Sequence, residues 1–553
     1  MLISSTIGAR ETPRNTVATG AHAAVATDQR LASETGLRIL RQGGNAVDAA
    51  VAIGYTLAVT YPSAGNLGGG GFMTVRLANG DSHFVDFRET APAAATTNMY
   101  LDATGGIIPD ASTVGPLSGG VPGTVAGLEY ARAKYGTRSR HELMRDAIDD
   151  AEQGFLLSDA DAAVFARARK ALMWFPTTAA ILVAGGETPK AGSVFRQPDL
   201  AQTLHRIDTE GAAGSYQGAI AKELASAVRD SGGIITEADL AAYRIVERVP
   251  LKCKYHGVTI VTAPLPSSGG VTMCEIPGIL ANDRPAPPVR SFMNAHLEIE
   301  AERRAFLDRN TQLGDPAFVP SRATALLNAS YLSRLRKSIA TDRATTSSSL
   351  SPGIATHEGS NTTNYSVVDV AGNAVDVTYT LNNGFGSDFV AGSTGVLLND
   401  EMDDFATKPG APNMFGLVQG IANAIAPGKR PLSSMAPSVV VNGSGHPMLV
   451  VGAAGGPRII TTTLDAIRAV VDFHQDTVTA LAAPRMHMQW LPDLVYAETA
   501  TFDPTTLAQL SASGYTVKIG RSGTDANAVG ILANGVRMGA HDPDSPTGAA
   551  LAY

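Results

Sequence analysis

The stretch Gly359–Asn382, GSNTTNYSVVDVAGNAVDVTYTLN, runs from a cluster of Asn, Thr and Ser straight into alternating valines. Alternation with a period of two marks strands, and the Ala-Gly-Asn in mid-stretch marks a turn. As a hairpin with a three-residue loop, Ala371-Gly372-Asn373, it sets Thr362 against Asn382, Asn364 against Thr380 and Ser366 against Thr378. Side chains alternate across a strand, so these six share one face. The other face carries Tyr365, Tyr379, Val367 and Val377, apolar enough to bury. A solvated face more commonly holds Lys or Glu. Short hydroxyls and amides suit a site that excludes bulk water and positions a substrate.

A threonine hydroxyl needs a base to become a nucleophile, and no histidine lies on this face. A threonine's own α-amine can serve, with a pKa of about 7.7–8.0. Thr362 is internal, so that amine is released only if the Asn361–Thr362 bond is cut. Just upstream, Ala340–Ser360 is polar, small and aperiodic. It reads as a linker that lets a new chain end move away. From these residues alone two readings stand: a self-activating nucleophile, and a plain hairpin with a polar face.

The rest of the chain bounds the alternatives. Its 553 residues fit two to four domains or one large layered α/β unit. A net charge of -8 without Lys/Arg blocks offers no general attraction to nucleic acid. The apolar run Ala46–Tyr61 is too short to span a membrane and follows a cap residue, so it reads as a buried helix. The first twenty residues show no hydrophobic secretory core. Cys253 and Cys274 are the only cysteines, and sequence leaves their pairing open. No metal-ligand motif is present, and no cofactor is expected.

Local signals place the remaining elements. Ser33–Gln42 reads as a helix capped by Ser33 and ended by Gly43-Gly44, and Asn45 caps a second helix stopped by Pro62. Asn79-Gly80 turns a hairpin, Thr236 caps a helix with acidic residues in its first turn, and Ser291–Asn310 reads as a long helix. Strand signals dominate after Tyr365. Gly68–Gly71 lacks the GK[ST] ending and the GxGxxG spacing, so it reads as close backbone packing rather than a phosphate loop. Helices and strands do not alternate regularly enough for a barrel or doubly wound sheet; helices covering stacked sheets fit better.

NTTNYSVVDVAGNAVDVTYTLNN resembles the processing site of γ-glutamyltransferases, members of the N-terminal-nucleophile hydrolase superfamily. Further blocks in the family style follow in order: GGNAVDAAVA (Gly43–Ala52), NLGGGGFM (Asn66–Met73), RETAP (Arg88–Pro92), PLPSSGG (Pro264–Gly270), LNDEMDDF (Leu398–Phe405), GKRPLSSMAPS (Gly428–Ser438), GAAGGPRIITT (Gly452–Thr462) and HMQWLPD (His487–Asp493).

The resemblance implies an α+β fold, a four-layer αββα sandwich. It implies a precursor that cuts itself between Asn361 and Thr362 into a large fragment, 1–361, and a small one, 362–553, which stay together as one folded unit. It implies transfer of a γ-glutamyl group from glutathione or other γ-glutamyl compounds, through a Thr362 ester, to water or to amino-acid or dipeptide acceptors. It also implies a periplasmic or extracellular location. Residue by residue, it makes Thr362 the nucleophile and Thr380 its hydrogen-bond partner. Arg88, Ser433 and Ser434 would hold the substrate α-carboxylate. Asn382, Glu401 and Asp404 would hold the α-ammonium, and the Gly455 and Gly456 N–H groups would form the oxyanion hole. Each also has an ordinary reading: Arg88 as a surface salt bridge, Asp404 and Ser433-Ser434 as caps, Gly455-Gly456 as a tight turn.

Three positions depart from the family pattern. Asn364 stands where the family usually has His, Phe415 where the lid segment Pro409–Gly420 often has Tyr, and Pro457 where Ser is common after the glycine pair. The alternatives are a glutaryl (cephalosporin) acylase of the same superfamily, and an unprocessed, non-catalytic binding homologue.

Overall fold

Thr363–Val368 and Ala374–Thr380 pair antiparallel in a computed structural model that describes residues 16–280, 289–350 and 362–553. Asn361 and the second half of the linker segment lie outside the described residues. The loop is Val370-Ala371-Gly372, one residue earlier than expected. Gly372 takes φ 89 at its third position, the left-handed conformation that a three-residue loop demands there. Asp369 N–H closes the loop on the Asn373 carbonyl at 3.1 Å. The register shifts accordingly: Asn364 faces Thr378 and Ser366 faces Asp376, and each side chain keeps its predicted face. Thr362, just before the strand, comes opposite Thr380 rather than Asn382.

The hairpin lies inside a seven-stranded antiparallel sheet. Its order is Ala549–Ala552, Ala24–Thr27, Thr363–Val368, Ala374–Thr380, Gly70–Arg76, Ser82–Phe87, Val246–Arg248. A second seven-stranded sheet runs Val17–Gly20, Arg537–His541, Asp525–Ile531, Pro447–Ala454, Ser438–Val441, Val258–Thr262, Leu251–Tyr255. Both sheets mix strands from before and after position 361. The stretches on either side of it therefore share one core.

Helices cover both outer faces. Val25, Tyr365, Val367, Val377 and Tyr379 cluster with residues of the helices Ala46–Thr60, Thr124–Tyr135 and Arg140–Gln153. Ile260, Val440, Leu449 and Val451 cluster with Gly269–Ile279, Phe292–Gln312 and Arg458–Val471. The layering is helix, sheet, sheet, helix, as expected.

Between the sheets the character changes along the hairpin. At its turn end Val368 and Ala374 pack against Val439, Val441, Val450 and Val529. Toward Thr362 the layer is polar: Asn364 donates to the Val377 carbonyl at 2.9 Å and to Thr378 Oγ1 at 3.0 Å, and Ser366 donates to Asp376 at 2.7 Å. Asp376 also accepts the Ser438 N–H of the facing sheet at 3.0 Å. Half of the polar row, Asn364, Ser366 and Thr378, is thus glue between sheets, and the open end, Thr362, Thr380 and Asn382, reaches a cleft. Burial pushes the Asp376 carboxyl up to about 7.

Local expectations hold with two corrections. Asn45 forms a capping box with Asp48, and Thr236 forms one with Asp239. The first helix, however, spans Arg30–Arg41 and is capped by Gln29, whose side chain accepts from Leu31 N–H at 2.6 Å. Ser33 lies inside its first turn and donates to the Ala549 carbonyl instead. The first half of the linker is anchored: Ala344 N–H bonds the Ser513 carbonyl, and Ser347 donates to the Trp490 carbonyl. The four glycines pack as expected. A Cβ on Gly69 would lie 2.0 Å from the Thr380 carbonyl oxygen, and one on Gly71 2.4 Å from that of Thr378. Cys253 and Cys274 form a disulfide with Cα atoms 6.1 Å apart.

In the facing sheet, Gly452 lies against the hairpin. An added Cβ would meet Asn364 Nδ2 at 2.2 Å and Asp376 Oδ2 at 2.4 Å. Gly452→Ala is expected to cost about 1–3 kcal/mol, read as a lower thermal midpoint. Gly443→Ala, whose Cβ would meet only the Gly257 oxygen at 3.6 Å, is expected to leave the midpoint unchanged. Equal midpoints for the two variants would contradict this view of the sheet contact.

Candidate active site

The open end of the hairpin forms one wall of a narrow cleft of about 20 Å³, lined by Arg88, Thr362, Thr380, Asn382, Glu401, Asp404, Ser433, Ser434 and Gly456. Nine of the ten residues expected at the site line this space. Gly455, the tenth, is the neighbour of Gly456. Phe415, Leu417, Met435, Pro457 and Ile459 complete the lining.

Thr362 is pinned from beneath. Asp28, fully buried, accepts from Thr363 Oγ1 at 2.9 Å, from Asn364 N–H at 3.1 Å and from Asn527 Nδ2 at 2.6 Å. Above, the Thr380 hydroxyl lies 3.4 Å from Thr362 Oγ1 and accepts the Asn382 N–H at 2.8 Å. Asn382 adopts φ 83, a left-handed conformation that Asn tolerates better than most residues. Its Nδ2 donates to the Asp400 carbonyl at 3.1 Å.

Arg88 is no surface salt bridge. It is fully buried, and its guanidinium pairs with Glu401 at 2.6 Å, with Glu89 at 3.4 Å and with Asp404. Burial works against the cation, yet Glu401, Glu89 and Asp404 together raise its pKa. The acids are in excess. Burial pushes Glu89 up to about 7 and raises Glu401, with Arg88 opposing in both cases. Neither Glu401 oxygen makes a well-directed hydrogen bond among the described residues, so both can still accept one.

A second cation at the site escaped the sequence reading. Arg309, in the long helix Phe292–Gln312, is buried and donates to Ser434 Oγ at 2.9 Å. Its other donations go to the neutral oxygens of Asn310 and Gln419. Among the described residues no carboxylate pairs with it, and Nε lacks a hydrogen bond. Burial lowers its pKa to about 10. The signal was hard to see because EAERRAFLDRN looks like a charged helix face.

The strand Pro447–Ala454 ends in Gly455, φ 129, and Gly456, φ 58, and the helix Arg458–Val471 follows. Two successive left-handed residues require glycine. A Cβ on Gly456 would also strike the Phe415 ring at 2.7 Å. The turn sets backbone N–H groups and the positive end of a helix dipole beside the cleft, an arrangement suited to a developing oxyanion.

The three departures have structural explanations. Asn364 is buried between the sheets and does not line the cleft. Phe415 lays its ring on Gly456 and is held through its carbonyl, which accepts from Gln489 Nε2 at 3.0 Å. Pro457 precedes the first helical residue, where a missing N–H costs little. Among the described residues no cluster of His, Cys, Asp and Glu could hold a metal ion.

A family model described as Gamma-glutamyltranspeptidase matches residues 32–552. A glutathione hydrolase proenzyme of Pseudomonas sp. (strain A14) is 46% identical over 549 residues, covering 96% of this chain and 94% of its own length. Among solved structures, a γ-glutamyltranspeptidase chain of Helicobacter pylori is 39% identical with a TM-score of 0.57, covering 65% of this chain and 100% of that one. The cephalosporin acylase of Bacillus halodurans superposes with a TM-score of 0.84 over 100% of this chain and 99% of its own, at 24% identity, a likeness of fold. Matched along nearly its whole length by the family model and by a relative of such identity, with a threonine-centred cleft at the heart of the fold, this chain belongs to the γ-glutamyltranspeptidase family.

Proposed function

We propose that the chain is a self-cutting proenzyme that hydrolyses glutathione and transfers its γ-glutamyl group. The observation that carries this reading is Thr362 at the mouth of a cleft furnished for both charges of an amino acid. In maturation the Thr362 hydroxyl adds to the Asn361 carbonyl, the C–N bond breaks, and the acyl group passes to oxygen. Water then cleaves that ester, leaving Asn361 a carboxylate and Thr362 a free amine. The cut would divide the chain into 361 and 192 residues, and 361 of 553 is about the same share as the 65% of this chain that the Helicobacter chain covers. Strands from both pieces share both sheets, which supports their staying together.

In the mature enzyme the Thr362 amine takes the hydroxyl proton as oxygen attacks the γ-carbonyl. The Gly455 and Gly456 N–H groups receive the negative oxygen. The proton passes to the departing amine, leaving a γ-glutamyl ester. Water or an acceptor amine attacks that ester, and its proton returns through the same amine to Thr362. Ser433, Ser434 and Arg88 hold the α-carboxylate, with Arg309 behind Ser434 supplying uncommitted charge. Asn382, Glu401 and Asp404 hold the α-ammonium, and the excess of acid at Arg88 favours this reading over a glutaryl acylase, whose substrate lacks that ammonium. The disulfide suits a protein that matures outside the cytoplasm, in the periplasm or beyond the cell. Among the described residues no helix is long and apolar enough to cross a membrane.

Three outcomes are expected. Thr362→Ala gives one inactive band at 57.2 kDa on a denaturing gel, where the wild type gives two; two bands from the variant would refute the nucleophile. Arg309→Gln raises KM about tenfold for γ-glutamyl and glutaryl anilides but not for 4-aminobutyryl anilide, which lacks the carboxylate; a uniform change across all three would remove Arg309 from carboxylate binding. The third concerns pH. Glu89 titrates at about 7, with Glu401 also raised, so the acids attract an ammonium only once deprotonated. KM for γ-glutamyl and 4-aminobutyryl anilides should therefore fall as pH rises from 5.5 to about 8, while that for glutaryl anilide does not. Parallel profiles for all three donors would show that the acids do not read the ammonium.

A further inference from the structure

Between the strand Val258–Thr262 and the helix Gly269–Ile279 lies the block PLPSSGG, which the chemistry above does not use. Ser267 and Ser268 within it are fully buried. Ser268 stands at the N-cap of the helix, where a serine ordinarily turns its oxygen to an N–H of the first turn. Ser139, Ser158 and Thr236 do this at the heads of their own helices. The Ser268 side chain makes no capping bond. Its hydroxyl donates to the Ser433 carbonyl at 2.5 Å, and its N–H donates to the same oxygen at 2.8 Å. A local stabilisation is given up for a contact with a residue 165 positions along the chain, the kind of broken local rule that marks functional sites.

That contact is part of a wider grip. Ser433 N–H donates to the Pro266 carbonyl at 3.0 Å. Ser267 Oγ donates to the Met435 carbonyl and accepts the Gly269 N–H at 3.1 Å. Gly269 lets the turn approach: an added Cβ would lie 2.5 Å from the Met435 carbonyl oxygen and 2.7 Å from that of Ser434. The main chain of Ser433, Ser434 and Met435, which line the cleft, is thus held by residues 266–269, none of which lines it. Within this grip both cleft hydroxyls already accept a bond. Ser433 Oγ accepts the Met435 N–H at 3.1 Å, and Ser434 Oγ accepts from Arg309 at 2.9 Å. Among the described residues neither donates one, so each O–H is left for an incoming carboxylate.

We propose that Ser267 and Ser268 are positioning residues for donor recognition: they fix the 433–435 main chain so that the Ser433 and Ser434 hydroxyls converge on one carboxylate of the donor. The inference rests on the γ-glutamyl reading above, in which these hydroxyls hold the α-carboxylate. The two pairs of serines lie on opposite sides of the proposed cut, so the larger fragment sets the geometry with which the smaller reads its donor.

The test reads KM for the same three anilides. In Ser268→Ala the Ser433 carbonyl keeps its backbone N–H partner, so no buried acceptor is left unpaired. The variant is expected to self-cleave and to raise KM for γ-glutamyl and glutaryl anilides about three- to tenfold. Its kcat for both, and its kcat/KM for 4-aminobutyryl anilide, should stay within about twofold of wild type. Ser267→Ala, which removes the tie to the Met435 carbonyl, is expected to give the same split. A role confined to folding would lower the yield of processed enzyme or shift all three donors alike. A uniform change, or none, in both variants would overturn the inference and leave the γ-glutamyl reading standing. A wild type with equal KM for γ-glutamyl and 4-aminobutyryl anilides would overturn both, since no carboxylate would then be read.

Discussion

A buried carboxylate sets the position of Thr362, the proposed nucleophile. Asp28 receives a hydroxyl, a backbone N–H and a side-chain amide at the point where the central strand begins. Those three bonds tie the start of the strand Thr363–Val368 to the end of Ala24–Thr27 and to Asn527 of the facing sheet. Beside that anchor, Thr362 Oγ1 lies 3.4 Å from the Thr380 hydroxyl. Burial raises the Asp28 pKa while its donors and the nearby His541, 3.8 Å away, lower it. A carboxylate of this kind is costly to bury unpaired, so its neighbours are constrained to satisfy it. Asn364 belongs to the same arrangement. Its side chain ties the hairpin strands together, and its main chain joins Asp28 to Asn527.

The cleft then divides charge between two guanidinium groups of different standing. Arg88 is committed: three carboxylates surround it, and their excess makes the region attractive to a cation. Arg309 hydrogen-bonds only to neutral oxygens, one of them on Ser434, which lines the cleft, while Asp404 acts on it from farther away. Arg88, its three carboxylates and Arg309 together leave one negative charge if all ionise. Burial raises Glu89 and Glu401, and a proton held on either would remove that charge. A zwitterion adds no net charge and supplies both missing partners, an ammonium for the surplus acids and a carboxylate for the uncommitted arginine. A dicarboxylate without the ammonium would satisfy only the second.

Much of this was legible from local chemistry. Alternation separated the two faces of the hairpin correctly because a strand's period is fixed by its backbone. The caps at Asn45 and Thr236 could be read because each bonds within three residues. The errors came where one residue decides the geometry or where partners are remote. Gly372 fixed the loop by its φ, which spacing alone does not disclose. Ser33 found a partner in Ala549, over five hundred residues away, leaving the cap to Gln29. The polar row looked like a site lining throughout, yet half of it meets a second sheet whose contact no local pattern announces. Arg309 was hidden in a helix whose charges suggested solvent, although Arg303, Arg304 and Arg309 are all buried there.

Phe415 shows how a change in one residue can be absorbed by the main chain. A tyrosine hydroxyl at this position would give the lid a side-chain anchor. Here the anchor is the backbone carbonyl of residue 415, held by Gln489, whose Oε1 contacts His487 Nε2 at 2.9 Å. The ring is free to serve packing alone, and it occupies the space over Gly456 that any larger residue would need. The proposed lid and the proposed oxyanion turn are therefore in direct contact, with the Phe415 ring filling the space beside a glycine held at φ 58. That contact is van der Waals packing and needs no hydroxyl.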